Sequence, residues 1–202
     1  LDVDGTLSAT VVTSATFGRG GAITFEITSG SGSATVDASS GLLTGVGAGT
    51  VTLVANSAGD ADYSAASTSQ ELTISAITPT LTITSSNTLD VDGTLSATVV
   101  TSATFGRGGA ITFEITSGSG SATVDASSGL LTGVGAGTVT LVANSAGDAD
   151  YSAASTSQEL TISAITPTLT ITSSNSLDVD GTLSATVVTS ATFGRGGAIT
   201  FE

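Results

Sequence analysis

The chain is built from one repeat of 88 residues, and this periodicity limits the folds that it can adopt. The run LDVDGTLSATVV begins at Leu1, Leu89 and Leu177, and the first two copies differ only where Thr88 is replaced by Ser176. A unit of this length is too long for one turn of a solenoid and has the size of a small independent domain. We therefore expect each full copy to fold around a hydrophobic core of its own.

Within each copy, apolar and polar residues alternate over short segments, which is typical of half-buried strands. The alternation is clearest over ITFEI, where Phe113 is predicted to face inward and Thr112 and Glu114 outward. It also predicts a first strand at TLTIT, residues 80–84, and a single strand through Leu95 and Val99. Together with turn residues about every 8 to 12 positions, the pattern predicts about seven strands in an all-β, two-sheet antiparallel sandwich.

Three pieces of each copy, ATVDASSGLLTGV, GAGTVTLVA and GDADY with the strand after it, resemble bacterial immunoglobulin-like repeats of the group 2 type. The opening LDVDGTLSATVV is similar to the early strand pair of the same family, which occurs in large surface proteins and adhesins. The resemblance implies tandem immunoglobulin-like antiparallel β-sandwich domains in an elongated rod, displayed at the cell surface. It carries over no ligand-binding residues, because the matching positions are core and turn positions.

The repeat register predicts three units. Residues 1–77 (repeat 1) are expected to form an immunoglobulin-like repeat that lacks its first strand, residues 78–165 (repeat 2) a complete repeat, and residues 166–202 (repeat 3) the truncated start of a third. The linker 76–79 is short and has no Gly/Ser tract, so neighbouring repeats are expected to be closely coupled. The missing strand has two interpretations: an arbitrary cut through a longer array, or completion of repeat 1 by a strand from outside.

The charge and composition of the chain exclude several classes of function. The net charge is −14, with 17 acidic residues against three basic ones, so nucleic acid is a poor partner because its binding depends on Lys and Arg. No apolar stretch approaches the roughly 20 residues that span a bilayer, and no signal peptide is recognisable. With no His, Cys or Lys, the common catalytic triads and zinc sites are excluded. We expect no enzyme and no cofactor, and calcium is the one candidate ion.

Two pairs of acidic residues are the candidate metal ligands. Asp90 and Asp92 lie in LDVDG, and Asp148 and Asp150 lie in GDADY. Each pair is spaced one residue apart, as calcium ligands often are, although neither stretch completes an EF-hand loop. The alternative is that DG and GD are simple turn formers on a solvated surface.

The same turns are candidates for contact between repeats. In the expected strand order, LDVDG lies at the bottom of one repeat, and GDADY and TFGRGG lie at the top of the next. The single arginine of a repeat, Arg107 or Arg195, is therefore expected to face the acidic turn of the repeat before it. Three interpretations stay open: solvated turns, arginine pairing across the junction, and a calcium ion that bridges the two turns.

The function predicted from these observations is a structural stalk in a repetitive extracellular bacterial surface protein or adhesin. Its expected partners are the neighbouring repeats of the same chain, with no nucleic acid and no membrane insertion in this segment. The main alternative is a subunit of a self-assembling extracellular filament or sheath, formed by lateral contacts or by strand exchange. A stalk is expected to stay monomeric and a filament subunit to polymerise. A third alternative is an adhesive domain that binds glycans.

Overall fold

The computed structural model describes residues 1–14, 19–103, 108–190 and 197–202. Within these ranges the chain forms strands and no helix, so the predicted all-β class is confirmed. The strands belong to several small sheets in which almost every pair is antiparallel. No described segment is a helix long and apolar enough to cross a membrane.

The strands recur at equivalent positions of the repeats. Repeat 1 contains, in its described part, β1 (Thr6–Ser8), β2 (Ile23–Ile27), β3 (Ser33–Val36), β4 (Leu42–Gly47), β5 (Gly49–Ser57) and β6 (Ala66–Ile74). Repeat 2 contains β7 (Leu81–Ile83), β8 (Thr88–Asp90), β9 (Thr94–Ser96), β10 (Val99–Thr101), β11 (Ile111–Ile115), β12 (Ser121–Val124), β13 (Leu130–Gly135), β14 (Gly137–Ser145) and β15 (Ala154–Ser163). Repeat 3 contains β16 (Leu169–Ile171) and β17 (Val187–Thr189).

Repeat 2 has one hydrophobic core cluster, to which two sheets contribute residues. One sheet has the strand order β11-β14-β15-β8 and the other has the order β12-β13-β9. Phe113, Leu141 and Leu160 from the first sheet and Leu131 from the second are buried in a single cluster. Thr112 and Glu114 are exposed on either side of Phe113, as the alternation predicts, because successive residues of a strand point to opposite faces.

The structure differs from the sequence prediction in two strand pairings. The strand predicted through Leu95 and Val99 is two strands, because β9 pairs with β13 whereas β10 pairs with β7 in another sheet. Between them the N–H of Ala97 still donates to the carbonyl of Gly129 at 2.8 Å. The alternation of inward residues continues across this change of sheet, so the sequence pattern does not reveal it. The second difference is β8, which pairs with β15 in parallel.

Repeat 1 has, in its described residues, the same ladders except for two: the β7–β10 pair has no counterpart, and the parallel β8–β15 ladder is reduced to a single bridge between Asp2 and Ser75. Its sheets have the orders β2-β5-β6 and β1-β4-β3, and its core is divided into two clusters. Leu72 is only partly buried, whereas the equivalent Leu160 of repeat 2 has 0% exposure. The two repeats have the same sequence here, so Leu72 is more exposed than Leu160 because the described part of repeat 1 has no counterpart of strand β7.

Candidate functional site at the junction between repeats

Repeats 1 and 2 meet through four directional contacts. The hydroxyl of Tyr151 donates a hydrogen bond to Oδ2 of Asp4 at 3.0 Å, and the N–H of Ala48 donates to Oδ1 of Asp150 at 2.7 Å. The N–H of Ile77 donates to the carbonyl of Asp150 at 3.1 Å, and the N–H of Ser152 donates to the carbonyl of Ile77 at 2.9 Å. These contacts join the LDVDG turn and the linker to the GDADY loop. We call the six residues that make these bonds the junction residues: Asp4, Ala48, Ile77, Asp150, Tyr151 and Ser152.

Tyr151 is the most deeply buried of the junction residues. Its exposure is 1%, whereas Tyr63, the same residue of repeat 1, is only partly buried. Both tyrosines follow GDAD in identical sequences, so their own repeats surround them with the same residues. Tyr151 differs in that its hydroxyl reaches Asp4 of repeat 1, and we attribute its deeper burial to this contact between repeats.

The loop that carries Tyr151 is organised by one carboxylate. Asp148 accepts hydrogen bonds at Oδ1 from the N–H of Asp150 at 2.8 Å and from the N–H of Tyr151 at 2.9 Å. Its Oδ2 accepts from the N–H of Gly108 at 2.7 Å, which ties the loop to the end of TFGRGG. A carboxylate that accepts several backbone N–H groups is held firmly in place.

Repeat 1 forms the same loop although no repeat is packed on it. Asp60 accepts from the N–H groups of Gly20 at 2.8 Å, Asp62 at 2.8 Å and Tyr63 at 2.9 Å. The hydrogen bond from Gly20, followed by that from Asp62, lowers the pKa of Asp60 below its ordinary value. The loop is therefore formed before the neighbouring repeat docks, so docking carries only a small cost in conformational entropy.

The acceptor side of the junction is a tight turn. Asp4 has a φ of 59°, in the left-handed region that Asp and Asn tolerate better than most residues. The turn is closed by hydrogen bonds from the N–H of Gly5 to the carbonyl of Asp2 and from the N–H of Asp4 to the carbonyl of Gly45, each 3.0 Å long. Asp4 therefore meets Tyr151 from a turn whose backbone hydrogen bonds are already made.

Asp62 and Asp150 occupy the same position in the two repeats, and Asp150 has a partner in the neighbouring repeat. In repeat 1 the carboxylate of Asp62 pairs with Arg19 at 2.8 Å, and both side chains are more than half exposed, 58% and 54% respectively. In repeat 2 the carboxylate of Asp150 accepts from Ala48 of the neighbouring repeat. Exposed ion pairs stabilise proteins only weakly, whereas the hydrogen bond from Ala48 to Asp150 is partly buried and joins two repeats.

The predicted site residues fall into three groups. Asp148 and Asp150 lie at the junction, with the backbone contacts described above. Asp90 and Asp92 form the equivalent turn at the other end of repeat 2, where Asp92 has a φ of 62° and its N–H donates to the carbonyl of Gly133 at 2.9 Å. The interdomain candidates Arg107 and Arg195 lie outside the described residues.

In the described parts of the chain, no three acidic side chains gather in a group that could hold a metal ion. Calcium binding at the acidic turns stays a prediction, and so does arginine pairing across the junction. The structure adds Tyr151 and Ala48, which the sequence reasoning did not select. A signal for Tyr151 was present, since it is a large aromatic residue in a loop of small polar ones. Ala48 acts through its backbone, which leaves no trace in the sequence.

Compared with models of known protein families and with curated proteins, the chain gives no match.

Proposed function

We propose that this chain is a spacer segment of an extracellular bacterial surface protein, in which immunoglobulin-like β-sandwich repeats are stacked in a rod. The proposed role is mechanical and non-catalytic: the number of repeats sets how far a distal part of the protein extends from the cell. Repetition serves this role directly, since each added copy contributes the same length.

The observation that carries the proposal is the junction between repeats 1 and 2. A flexible linker would leave the repeats free to rotate. Here the linker residue Ile77 is hydrogen bonded to the next repeat through both its N–H and its carbonyl. The hydrogen bonds from Tyr151 to Asp4 and from Ala48 to Asp150 act at separate points of the same interface. Several directional contacts around a short linker restrict both bending and twisting.

The sequence supports a passive surface role in two further ways. A net charge of −14 favours solubility and keeps neighbouring molecules apart. The absence of Cys and Met leaves few groups that oxidise outside a cell. Both properties suit a long-lived extended protein.

Spin labels on both repeats test the proposal directly. The chain contains no Cys, so Glu71→Cys and Glu159→Cys place one label at the same exposed strand position of each repeat. We expect pulsed electron paramagnetic resonance to give one narrow distance distribution. Tyr151→Ala should broaden it, and the matched variant Tyr63→Ala should not. A broad distribution in the parent chain would mean that the repeats are not rigidly coupled, and the spacer proposal would fail.

A further inference from the structure

Two strands near opposite ends of repeat 2 lie side by side and run in the same direction. Strand β8 pairs in parallel with the last residues of β15, and Leu89 lies opposite Ile162. The chain enters β8 at Thr88 and leaves β15 at Ser163, so its points of entry and exit lie at opposite ends of this ladder. Tension along the chain therefore pulls the two strands past each other instead of pulling them apart.

The ladder is fastened at both ends by hydrogen bonds. The N–H of Thr161 donates to the carbonyl of Asn87 at 2.8 Å, and the N–H of Val91 donates to the carbonyl of Ser163 at 2.9 Å. The hydrogen bonds of a parallel pair are evenly spaced along it. When the strands are pulled lengthwise, these bonds carry the load together, whereas a pair that is peeled apart loses its bonds one at a time.

The ladder is also anchored in the core of repeat 2. Leu89 is 7% exposed and Ile162 is 2% exposed, and both belong to the core cluster. Sliding β8 along β15 would draw Leu89 out of a closely packed apolar site, which is unfavourable. Strand β15 is held in turn by β14, from Gly137 opposite Ile162 to Ser145 opposite Ala154. The load on β8 is thus passed to a strand that is fixed in the middle of its sheet.

Strand β7 precedes β8 in the chain, and its hold on the repeat is weaker. In the described chain β7 pairs with β10 in a sheet of two strands. Val100, in the middle of β10, is 60% exposed, so water reaches this pair more readily than the β8–β15 ladder. We therefore expect β7 to detach first and the load to pass to β8.

The same parallel contact occurs in repeat 1. Asp2 and Ser75 form a parallel bridge. The N–H of Val3 donates to the carbonyl of Ser75 at 3.0 Å, and the N–H of Ser75 donates to the carbonyl of Leu1 at 2.8 Å. Parallel pairing of an early segment with the end of the last strand is thus a property of the repeat and not of one copy.

We propose that the β8–β15 ladder is a tension clamp, the element that keeps a repeat folded when the array is pulled at its ends. This inference goes beyond the spacer proposal, which concerns how one repeat is coupled to the next. A repeat that is loosely coupled to its neighbour would still resist tension through its own ladder. Either proposal can therefore fail without the other.

Single-molecule force spectroscopy with two anchor geometries tests the clamp. The chain contains no Cys, so Asn87→Cys with Ala164→Cys attaches handles at the two ends of the ladder. In the control, Asn87→Cys is combined with Glu159→Cys. All three positions are exposed, and both pairs of handles load repeat 2 alone.

The two pairs differ in the direction of the force. Continuing the register of the ladder places Asn87 level with Leu160. At about 3.3 Å per residue, Ala164 lies about 13 Å from that level along the strand and Glu159 about 3 Å, while the strands are about 4.8 Å apart. The first pair therefore pulls mainly along the strands, and the second pulls mainly across them and peels β8 from β15.

We expect the unfolding force to be at least about twice as high when the ladder is pulled lengthwise, because its hydrogen bonds then break together. Equal forces in the two geometries would overturn the clamp, since resistance would then depend only on the overall stability of the repeat. If the distance distribution between the repeats is narrow and the two forces are equal, the spacer proposal stands and the clamp alone fails.

Two proline variants test the hydrogen bonds of the ladder. Val91→Pro removes the N–H that donates to Ser163. Thr88→Pro removes an N–H of β8 that donates instead to the side chain of Ser86, and proline is tolerated on an edge strand where no ladder donor is needed. Val91→Pro should lower the lengthwise unfolding force and Thr88→Pro should not, and equal forces would overturn the inference. Circular dichroism checks that both variants keep their strands, and the comparison of geometries decides the question if Val91→Pro does not.

Moving the first anchor ahead of β7, with Thr78→Cys in place of Asn87→Cys, tests which ladder bears the load. The lengthwise unfolding force should stay the same, because β7 detaches before the clamp gives way. A clearly higher force would show that the β7–β10 pair is the main barrier, and it would overturn the assignment to β8 and β15.

Discussion

Replacing Tyr151 with alanine measures how strongly repeat 1 stabilises repeat 2. The chain supplies its own control in Tyr63→Ala, since the two tyrosines have the same sequence around them. Each substitution removes a tyrosine from the same position of its own repeat. Only Tyr151→Ala also removes a contact between repeats, so the difference between the two variants isolates the junction.

The expected difference is worked from two contributions. The hydroxyl of Tyr151 donates to the side chain of Asp4, which is exposed, so water can replace the lost partner and this hydrogen bond contributes about 1 kcal/mol. Burial of the ring from the partly exposed state of Tyr63 to 1% exposure removes a few tens of Å² from water. At about 25 cal/mol per Å², this contributes about 1 kcal/mol more. Tyr151→Ala should therefore cost about 2 kcal/mol more than Tyr63→Ala.

Urea denaturation followed by far-ultraviolet circular dichroism gives the required comparison. For a repeat of this size, a slope of about 1–2 kcal/mol per M converts the difference into a midpoint about 1–2 M lower for the transition of repeat 2. Tyr151→Phe keeps the ring and removes only the hydroxyl, so it should show about half of the effect.

Equal destabilisation by Tyr151→Ala and Tyr63→Ala would refute the reasoning. It would mean that repeat 1 adds nothing to the environment of Tyr151 in solution and that the two repeats unfold as independent units. An effect of Tyr151→Phe as large as that of Tyr151→Ala would contradict the division into two contributions, because the hydrogen bond alone would then account for the junction.

Two further predictions concern turns inside the repeats. Hydrogen bonds from the N–H and hydroxyl of Ser128, followed by those of Ser127, lower the pKa of Asp125 from 3.8 to about 2. The stabilising effect of this carboxylate should therefore be complete above pH 3.8 and lost as the pH falls towards 2. In thermal unfolding between pH 2 and 6, the melting temperature of Asp125→Asn should fall less in acid than that of the parent chain, and parallel curves would contradict this. Gly118 has a φ of 150°, and a Cβ there would lie 1.8 Å from the carbonyl oxygen of Thr138. In urea denaturation, Gly118→Ala should therefore destabilise repeat 2 by more than about 3 kcal/mol. The control Thr116→Ala, at an exposed position of the same loop, should cost less than about 0.5 kcal/mol.

Part of the fold could be predicted because it depends on local pattern. Alternation with a period of two identifies which residues of a strand face the core, and Phe113 is buried between the exposed Thr112 and Glu114. The same rule did not reveal that the segment from Leu95 to Val99 contributes to two sheets. Alternation records which side of a strand is buried and carries no information on which neighbour it pairs with.

The candidate site could be predicted only in outline. The acidic turns and the GDADY loop are visible in the sequence, and their place at facing ends of consecutive repeats follows from strand order. The partners are not visible, because Ala48 contributes an N–H that every residue except proline has, and Asp150 binds it only where another repeat is docked. Asp62 has the same neighbours in sequence, and its described partner is Arg19 of its own repeat.

The amino-acid sequence by itself determined the unit of this protein: an 88-residue repeat of alternating strands, without the residue types of the common catalytic and zinc sites, and with a strongly acidic surface. Only the tertiary structure decided what distinguishes one copy from the next. Tyr63 and Tyr151, or Leu72 and Leu160, are the same residues in the same local sequence, yet they differ in burial. The physical reason is that burial depends on what lies across the interface, a neighbouring repeat for Tyr151 and strand β7 for Leu160, and identical sequences cannot encode that difference.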